Sequence, residues 1–305
     1  MNMKDPYLLH IFNPTKNVSP FDVNMAYEAE FDHVIPYSNV ALEEVHGLTQ
    51  DTIFSRGPSG VKRTGIFIGG REFGLAIDML QRARAAMVPP FEVSVFVDPS
   101  GAITTAAALV ACIENVLGGR EGLSGKRLHV FGGTGPVGIC AGILAQGCGA
   151  EVHIVSHRGL RVADEVAREY NARYGTAMRG ASGQSEQEVN EMVATTQVII
   201  GAAKAGIRIV SQAQLNNAES LLVAADVNAV PPAGIEGIDV HDTARALEFT
   251  PRKALAFGAL AIGDVKYKVH HRMFEMIKES SKPLFLDHRE SFKVAQALVG
   301  ASVAR

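Results

Sequence analysis

The run Lys126-Arg127-Leu128-His129-Val130-Phe131 followed by Gly132-Gly133-Thr134-Gly135-Pro136-Val137-Gly138 carries the clearest chemistry in the chain. Gly133, Gly135 and Gly138 form G-x-G-x-x-G directly after a β-rich segment and at the start of an apolar helical run made by Val137, Ile139, Ala141, Ile143 and Leu144. Such glycines allow a tight turn, let backbone N–H groups approach a pyrophosphate, and permit close helix-to-strand packing with the helix N-terminus facing the anion. In this strand-turn-helix setting, residues 133–138, with Thr134, Pro136 and Val137 between the glycines, read as a dinucleotide cradle; the alternative is a purely structural turn. The next strand ends in Ser156-His157-Arg158, about 20 residues further on, where an NAD site usually places an acid on the ribose 2′-hydroxyl. No acid stands there, and Arg158 suits a 2′-phosphate, so NADP is the expected cofactor. NAD stays open if Arg158 and Arg161 only solvate a loop.

Other residues have weaker signals. Ala202, in the small-residue run after the strand at 197–201, lets a flat cofactor approach the backbone, and Asn228 either bonds a nicotinamide amide or closes a turn. Lys266 and His270, four apart on a helix, share a face that either takes an acidic or carbonyl-bearing substrate or is simply solvated. Ser19-Pro20-Phe21-Asp22 reads as a helix start, with Ser19 as cap, Pro20 at the first position and Asp22 near the third. Asp98-Pro99-Ser100-Gly101 follows a strand, where α/β sheets bind ligands. There is no G-x-S-x-G, no H-E-x-x-H and no Walker lysine, so nucleophilic hydrolysis, zinc chemistry and phosphoryl transfer lack a sequence basis, no metal site is read, and hydride transfer remains.

These residues need a scaffold, and 305 residues are enough for two domains. Strands are expected at 7–12, 32–35, 65–68 and 93–97, then near 127–131, 151–155, 197–201 and 221–226, with helices at 72–87, 104–117 and 265–279 between and after them. The alternation implies an α/β fold of two α/β domains around a cleft, the second a Rossmann-type parallel sheet. The domain change is placed at the polar junction Gly118–Gly122: residues 1–118, completed by 266–305, form the first domain and 119–265 the second. In the last helix Asp264 is the expected N-cap. A formal charge of −3 offers no field for nucleic acid. Cys112, Cys140 and Cys148 lack zinc spacing and suit a reducing compartment, and no apolar run spans a membrane or forms a leader, so a cytoplasmic location is expected.

Five segments in one order then bring a family into view: Ser19–Ala26 (SPFDVNMA), Leu48–Arg56 (LTQDTIFSR), Arg63–Gly70 (RTGIFIGG), Ala225–Ile235 (ADVNAVPPAGI) and Phe257–Gly263 (FGALAIG). Together, over about residues 7–298, the chain resembles the NAD(P)-dependent methylene-tetrahydromethanopterin dehydrogenases of methylotrophic bacteria. The resemblance implies oxidation of a methylene bridge between two pterin nitrogens to a methenyl cation, hydride passing to a nicotinamide, in formaldehyde oxidation and one-carbon metabolism. It also implies a homotrimer whose neighbouring subunit helps to wall the site. By the same resemblance Phe21 packs on the pterin side, while Lys266 and His270 match the family's lysine and histidine on the last helix; Ser100, in the turn after the strand at 93–97, is a further expected substrate-binding residue. The cation is stabilised by its own two nitrogens, so neither general base nor metal is required, and catalysis rests on positioning and charge matching. A protonated lysine beside a forming cation is unfavourable at short range, which assigns Lys266 to anchoring or orienting substrate. Asp22 and Asp98 are the acids expected to complement the positive charge. The same chemistry on methylene-tetrahydrofolate is the runner-up, and a non-catalytic NADP-sensing protein is the reading from another class.

Overall fold

Strands of parallel sheets are covered on both faces and read as unbroken apolar runs, which is the character of Thr64–Ile68 and Ser94–Val97, where every residue is buried. The computed structural model describes residues 5–119 and 121–303. Arg120 of the polar junction, and Met1–Lys4, Ala304 and Arg305 of the expected domain ranges, lie outside the described residues.

The elements run β1 (Leu8–Phe12), α1 (Pro20–Glu28), β2 (His33–Tyr37), α2 (Val45–Phe54), α3 (Pro58–Val61), β3 (Thr64–Ile68), α4 (Phe73–Ala85), β4 (Ser94–Val97) and α5 (Ala102–Val116). They continue with β5 (Arg127–Phe131), α6 (Pro136–Gly147), β6 (Glu151–Ser156), α7 (Leu160–Tyr174), β7 (Arg179–Ser182), α8 (Glu186–Thr195), β8 (Val198–Gly201), α9 (Gln212–Leu215) and β9 (Val223–Asp226). Last come β10 (Thr243–Ala246), β11 (Leu255–Phe257), α10 (Ala259–Glu279), β12 (Phe285–Leu286) and α11 (His288–Val303).

The chain forms two compact units. The first holds the chain up to Thr104 with Tyr267–Val294, and the second holds Thr105–Lys266 with the segment from Ala295 onward. The division therefore falls within α5, α10 and α11, whereas the sequence reading sets it at Gly118–Gly122 and residue 265, with 295–305 in the first domain.

In the first unit the sheet order is β12-β4-β3-β1-β2, with all pairings parallel. Read from β2, this is the doubly wound order 2-1-3-4-5, whose switch point lies between β1 and β3. In the second unit the order is β10-β11-β9-β8-β5-β6-β7, parallel except for β10 on β11. Its strands β7-β6-β5-β8-β9 have the Rossmann order 3-2-1-4-5, switching between β5 and β8. A core of Phe131, Val155, Ile199, Ala224, Ala256 and their buried neighbours fills one face of this sheet.

The helix expected at 265–279 is α10, which starts at Ala259, six residues earlier, so that Asp264 lies inside it; a further helix, α11, follows. The reason is backbone satisfaction: the N–H groups of Leu260 and Ala261 donate to the Val240 carbonyl, so the first turn is capped from outside and needs no side chain. β7, β10, β11 and β12 carry no clear strand signal, being four residues or fewer, with sequences such as RGAS and TARA. They form because a neighbour supplies the ladder. Among the described residues no helix is long and apolar enough to cross a membrane.

Candidate active site

In the first unit, the carboxyl ends of β1, β3 and β4 lead into Asn13, Gly69-Gly70 and Asp98 respectively, so the loops beside the β1/β3 switch point carry the polar groups. Asn13 is buried and donates from Nδ2 to the Thr15 carbonyl at 2.7 Å and the Asn17 carbonyl at 3.0 Å, fixing the first loop. Gly70 has φ +103, and a Cβ there would stand 2.7 Å from the Pro14 ring, so only glycine lets the second loop pass the first. Ser100 lies in a single 3₁₀ turn after β4 with φ 53, a left-handed value that costs a non-glycine residue about 1 kcal/mol. Its hydroxyl donates to the Gly70 carbonyl at 2.8 Å and ties the β4 loop to the β3 loop.

Asp98 is fully buried, and both of its carboxylate oxygens are engaged. Its Oδ1 accepts from the Ile103 N–H at 2.8 Å and the Thr104 N–H at 3.2 Å, which caps the first turn of α5. Its Oδ2 accepts from the Thr104 hydroxyl at 2.6 Å and faces His270 Nδ1 at 3.0 Å. His270, on α10, is also fully buried, with the rings of Phe21, Phe67, Phe96 and Phe274 at centroid distances of 5.5, 5.7, 5.2 and 5.0 Å. Phe21 meets it edge-on, at 85° between planes, and is itself 36% exposed.

Asp22 is buried in the first turn of α1, where the helix N-terminus favours a negative charge. Its Oδ2 stands 3.5 Å from where a Gly69 Cβ would be. Ser19 takes the N-cap position with extended backbone and Pro20 follows, but the Ser19 side chain makes no capping bond. Thus Phe21, Asp22, Asp98, Ser100 and His270 converge on adjoining loops of one unit. Lys266 lies one helical turn before His270 on α10, half-buried.

The cradle of the second unit is specified by backbone. A Cβ on Gly132, which has φ +76, would run into the Ala202 backbone, one on Gly133 would stand 2.6 Å from the Ile154 Cβ, and one on Gly138 would stand 2.5 Å from the Gly132 carbonyl. Around Gly135, the N-cap of α6, the nearest atom to such a Cβ is the Gly132 carbonyl at 3.3 Å. Gly132 and Gly138 thus seat the helix on the turn, Gly133 packs on β6, and Gly135 has room on its open side. The set Gly133, Thr134, Gly135, Pro136, Val137 and Gly138 fits a pyrophosphate at a helix N-terminus. Ala202 lines the same turn, its N–H donating to the Phe131 carbonyl at 2.8 Å.

At the end of β6 Ser156 is buried and its hydroxyl accepts from the Arg158 N–H at 3.1 Å, leaving the His157 and Arg158 side chains exposed. Asn228 spends its amide on its own loop: Oδ1 accepts from the Gly206 and Val230 N–H groups at 3.2 and 2.9 Å, and Nδ2 donates to the Pro232 carbonyl at 2.9 Å. These bonds close the turn. Asp226, buried below it, accepts from the Asn228 and Ile235 N–H groups at 3.0 Å each. Burial raises its carboxyl above the usual range, against the pull of those N–H bonds.

Sequence reasoning missed Thr104, Phe67, Phe96, Phe274 and Gly132 as site residues. An acid six positions before a threonine, across a Pro-Ser-Gly turn that opens a helix, is the one local signal for the Asp98–Thr104 pair. The phenylalanines fall within the expected strands at 65–68 and 93–97 and the expected helix at 265–279 and carry no chemical signal of their own.

Residues 20–100 match the family model described as methylene-tetrahydromethanopterin dehydrogenase, N-terminal. The chain is 43% identical, over 96% of its length and 99% of the relative's, to a Methylorubrum extorquens protein named NAD(P)-dependent methylenetetrahydromethanopterin dehydrogenase. It is 34% identical, over 95% of its length and 98% of the relative's, to the bifunctional protein MdtA of the same organism. Among solved structures it is similar to a quinate dehydrogenase from Corynebacterium glutamicum in complex with NAD, with a TM-score of 0.54 at 11% identity over 96% of this chain and 99% of that one. The last similarity is one of fold.

Proposed function

This chain belongs to the NAD(P)-dependent methylenetetrahydromethanopterin dehydrogenase family, and from that premise we propose that it oxidises methylene-tetrahydromethanopterin to the methenyl cation, the bound nicotinamide dinucleotide supplying the hydride acceptor. One observation carries the reading: the similarity to the dehydrogenase extends over both units, so it includes the loops at the β1/β3 switch point as well as the glycine cradle. A shared cradle alone would indicate only a dinucleotide.

The chain's own residues have few tasks, because the product cation is stabilised by its two flanking nitrogens and no proton need be removed. Gly133, Gly135 and Gly138 admit the pyrophosphate at the α6 N-terminus, with Thr134 and Val137 beside it. Exposed Arg158, with no acid at the end of β6, holds a 2′-phosphate, so NADP is the preferred partner and NAD a usable one. Phe21 offers a rigid ring to the pterin, and Ser100, on its strained turn, borders the same surface. Asp22, buried at a helix start, supplies fixed negative charge that favours the cation as it forms. Lys266 anchors or orients the substrate at a distance from the bridge carbon.

The same reading places the enzyme in formaldehyde oxidation in the cytoplasm and expects a homotrimer, which light scattering of the purified protein tests. For the reaction, initial rates are measured with methylene-tetrahydromethanopterin and with methylene-tetrahydrofolate, each with NADP and NAD. Turnover led by the methanopterin supports the proposal; turnover with the folate alone moves the assignment to that pterin; no turnover with either rejects both.

A further inference from the structure

We propose that Thr104 and Asp98 are positioning residues of the pterin site: they lock the ring of His270, and the His270 ring in turn seats Phe21. The inference rests on the pterin-oxidising reading above and adds to it how the buried part of the site acts on the exposed part. His270 has no exposed surface, and of the four aromatic rings around it only Phe21 reaches solvent. Phe21 is thus a solvent-facing ring through which His270 bears on the substrate.

The lock follows from counting donors. Asp98 already accepts two backbone N–H groups on Oδ1 and the Thr104 hydroxyl on Oδ2. The Thr104 hydroxyl lies 3.4 Å from the Gly101 carbonyl, against 2.6 Å from the carboxylate, so the carboxylate takes its proton. An acceptor-only carboxylate facing Nδ1 at 3.0 Å then requires Nδ1 to carry a hydrogen. With that bond fixed, the imidazole cannot flip end for end without exchanging a charge-assisted hydrogen bond for a carbon edge against a buried carboxylate. Phe67, Phe96 and Phe274 close the remaining directions, and the Phe21 ring rests edge-on against the locked imidazole. Thr104 thus stands three contacts from Phe21 and four from the substrate, and touches nothing that reacts.

Two measurements on the full-length protein test the proposal. First, ¹⁵N NMR of histidine-labelled wild type, assigned with a His270→Gln variant, reads the protonation of Nδ1: a hydrogen on Nδ1 is expected, and a bare Nδ1 would overturn the lock. Second, Thr104→Val removes the hydroxyl at nearly constant volume, and kcat for methylene-tetrahydromethanopterin should fall about tenfold, with both KM values held within about twofold, because misplacement of a positioned group costs rate more than binding. Thr104→Ser should recover most of the lost kcat. Unchanged kcat in Thr104→Val, or a Ser variant as impaired as the Val variant, would overturn the relay. If Thr104→Val does not fold, the Nδ1 signal and the Ser variant decide. Failure of the wild type to oxidise either pterin would sink the functional reading instead, while the Nδ1 signal still judges the lock.

Discussion

The two units solve recognition by different means. In the second, the candidate site is made of backbone: four glycines within seven positions, three of which have no room for a Cβ, at the N-terminus of α6, a place suited to an anion. In the first, it is made of side chains drawn from Phe21, Asp22, Asp98, Ser100, Thr104 and His270, which only the parallel sheet and α10 bring together. A backbone site tolerates almost any side chain at its solvent positions and no Cβ at its packed ones. A side-chain site has the opposite sensitivity, since its losses come from removing a hydroxyl or a charge while the backbone stays put.

The largest expected effect breaks the cradle. Gly132→Ala puts a Cβ against the Ala202 backbone at a left-handed φ, and the dissociation constant for NADP should rise at least about 100-fold, or about 2.7 kcal/mol. Calorimetric titration checks this, and pterin affinity held near the wild-type value would show that the damage stays in one unit. Next, Asp22→Asn removes the charge without removing bulk, and kcat should fall about 30-fold with the KM for the nicotinamide unchanged. Wild-type kcat in that variant would return Asp22 to a helix-start role. Arg158→Ala sharpens the cofactor side: KM for NADP should rise about tenfold while KM for NAD barely moves. Equal changes for both cofactors would rule out contact with a 2′-phosphate.

The smallest effect concerns stability. His129 and His153 stack at 4.9 Å on neighbouring strands of the second sheet. Burial, then His153 and Arg127, push the His129 imidazole down to about 3 from 6.5, and burial lowers His153 as well. A depressed folded value means that below 6.5 the unfolded chain takes up protons the folded one refuses, so stability is full above that pH and declines as the pH falls towards 3. Between pH 7 and pH 5.5, His129 alone should cost about 1 kcal/mol. Urea unfolding at the two pH values checks this, and His129→Leu should flatten the difference. No loss on acidification would mean the pair titrates normally.

How much of this was legible in the sequence follows from the same contrast. The cradle was readable because its parts are local: Phe131, the glycines and the α6 run are contiguous, and glycine leaves a type signature. Only Gly132 escaped, because its role is a close approach to Ala202 from another strand. In the first unit Phe21, Asp22, Ser100 and His270 each stand out singly in the sequence, but not the fact that the fold brings them together. That Asp98 bonds His270 across 172 positions is a fact of the fold, and without it Asp98 looks like a strand-end acid open to substrate. The start of α10 failed for a similar reason, since its cap is the distant Val240 carbonyl.

The most direct test follows the hydrogen itself. Methylene-tetrahydromethanopterin carrying two deuterons on the bridge carbon, prepared from deuterated formaldehyde, is incubated with the enzyme and NADP, and the reduced nicotinamide is weighed by mass spectrometry. The account predicts one deuteron on the nicotinamide for every methenyl product formed. Label appearing in water, or methenyl product without reduced cofactor, would contradict hydride transfer between the two bound molecules.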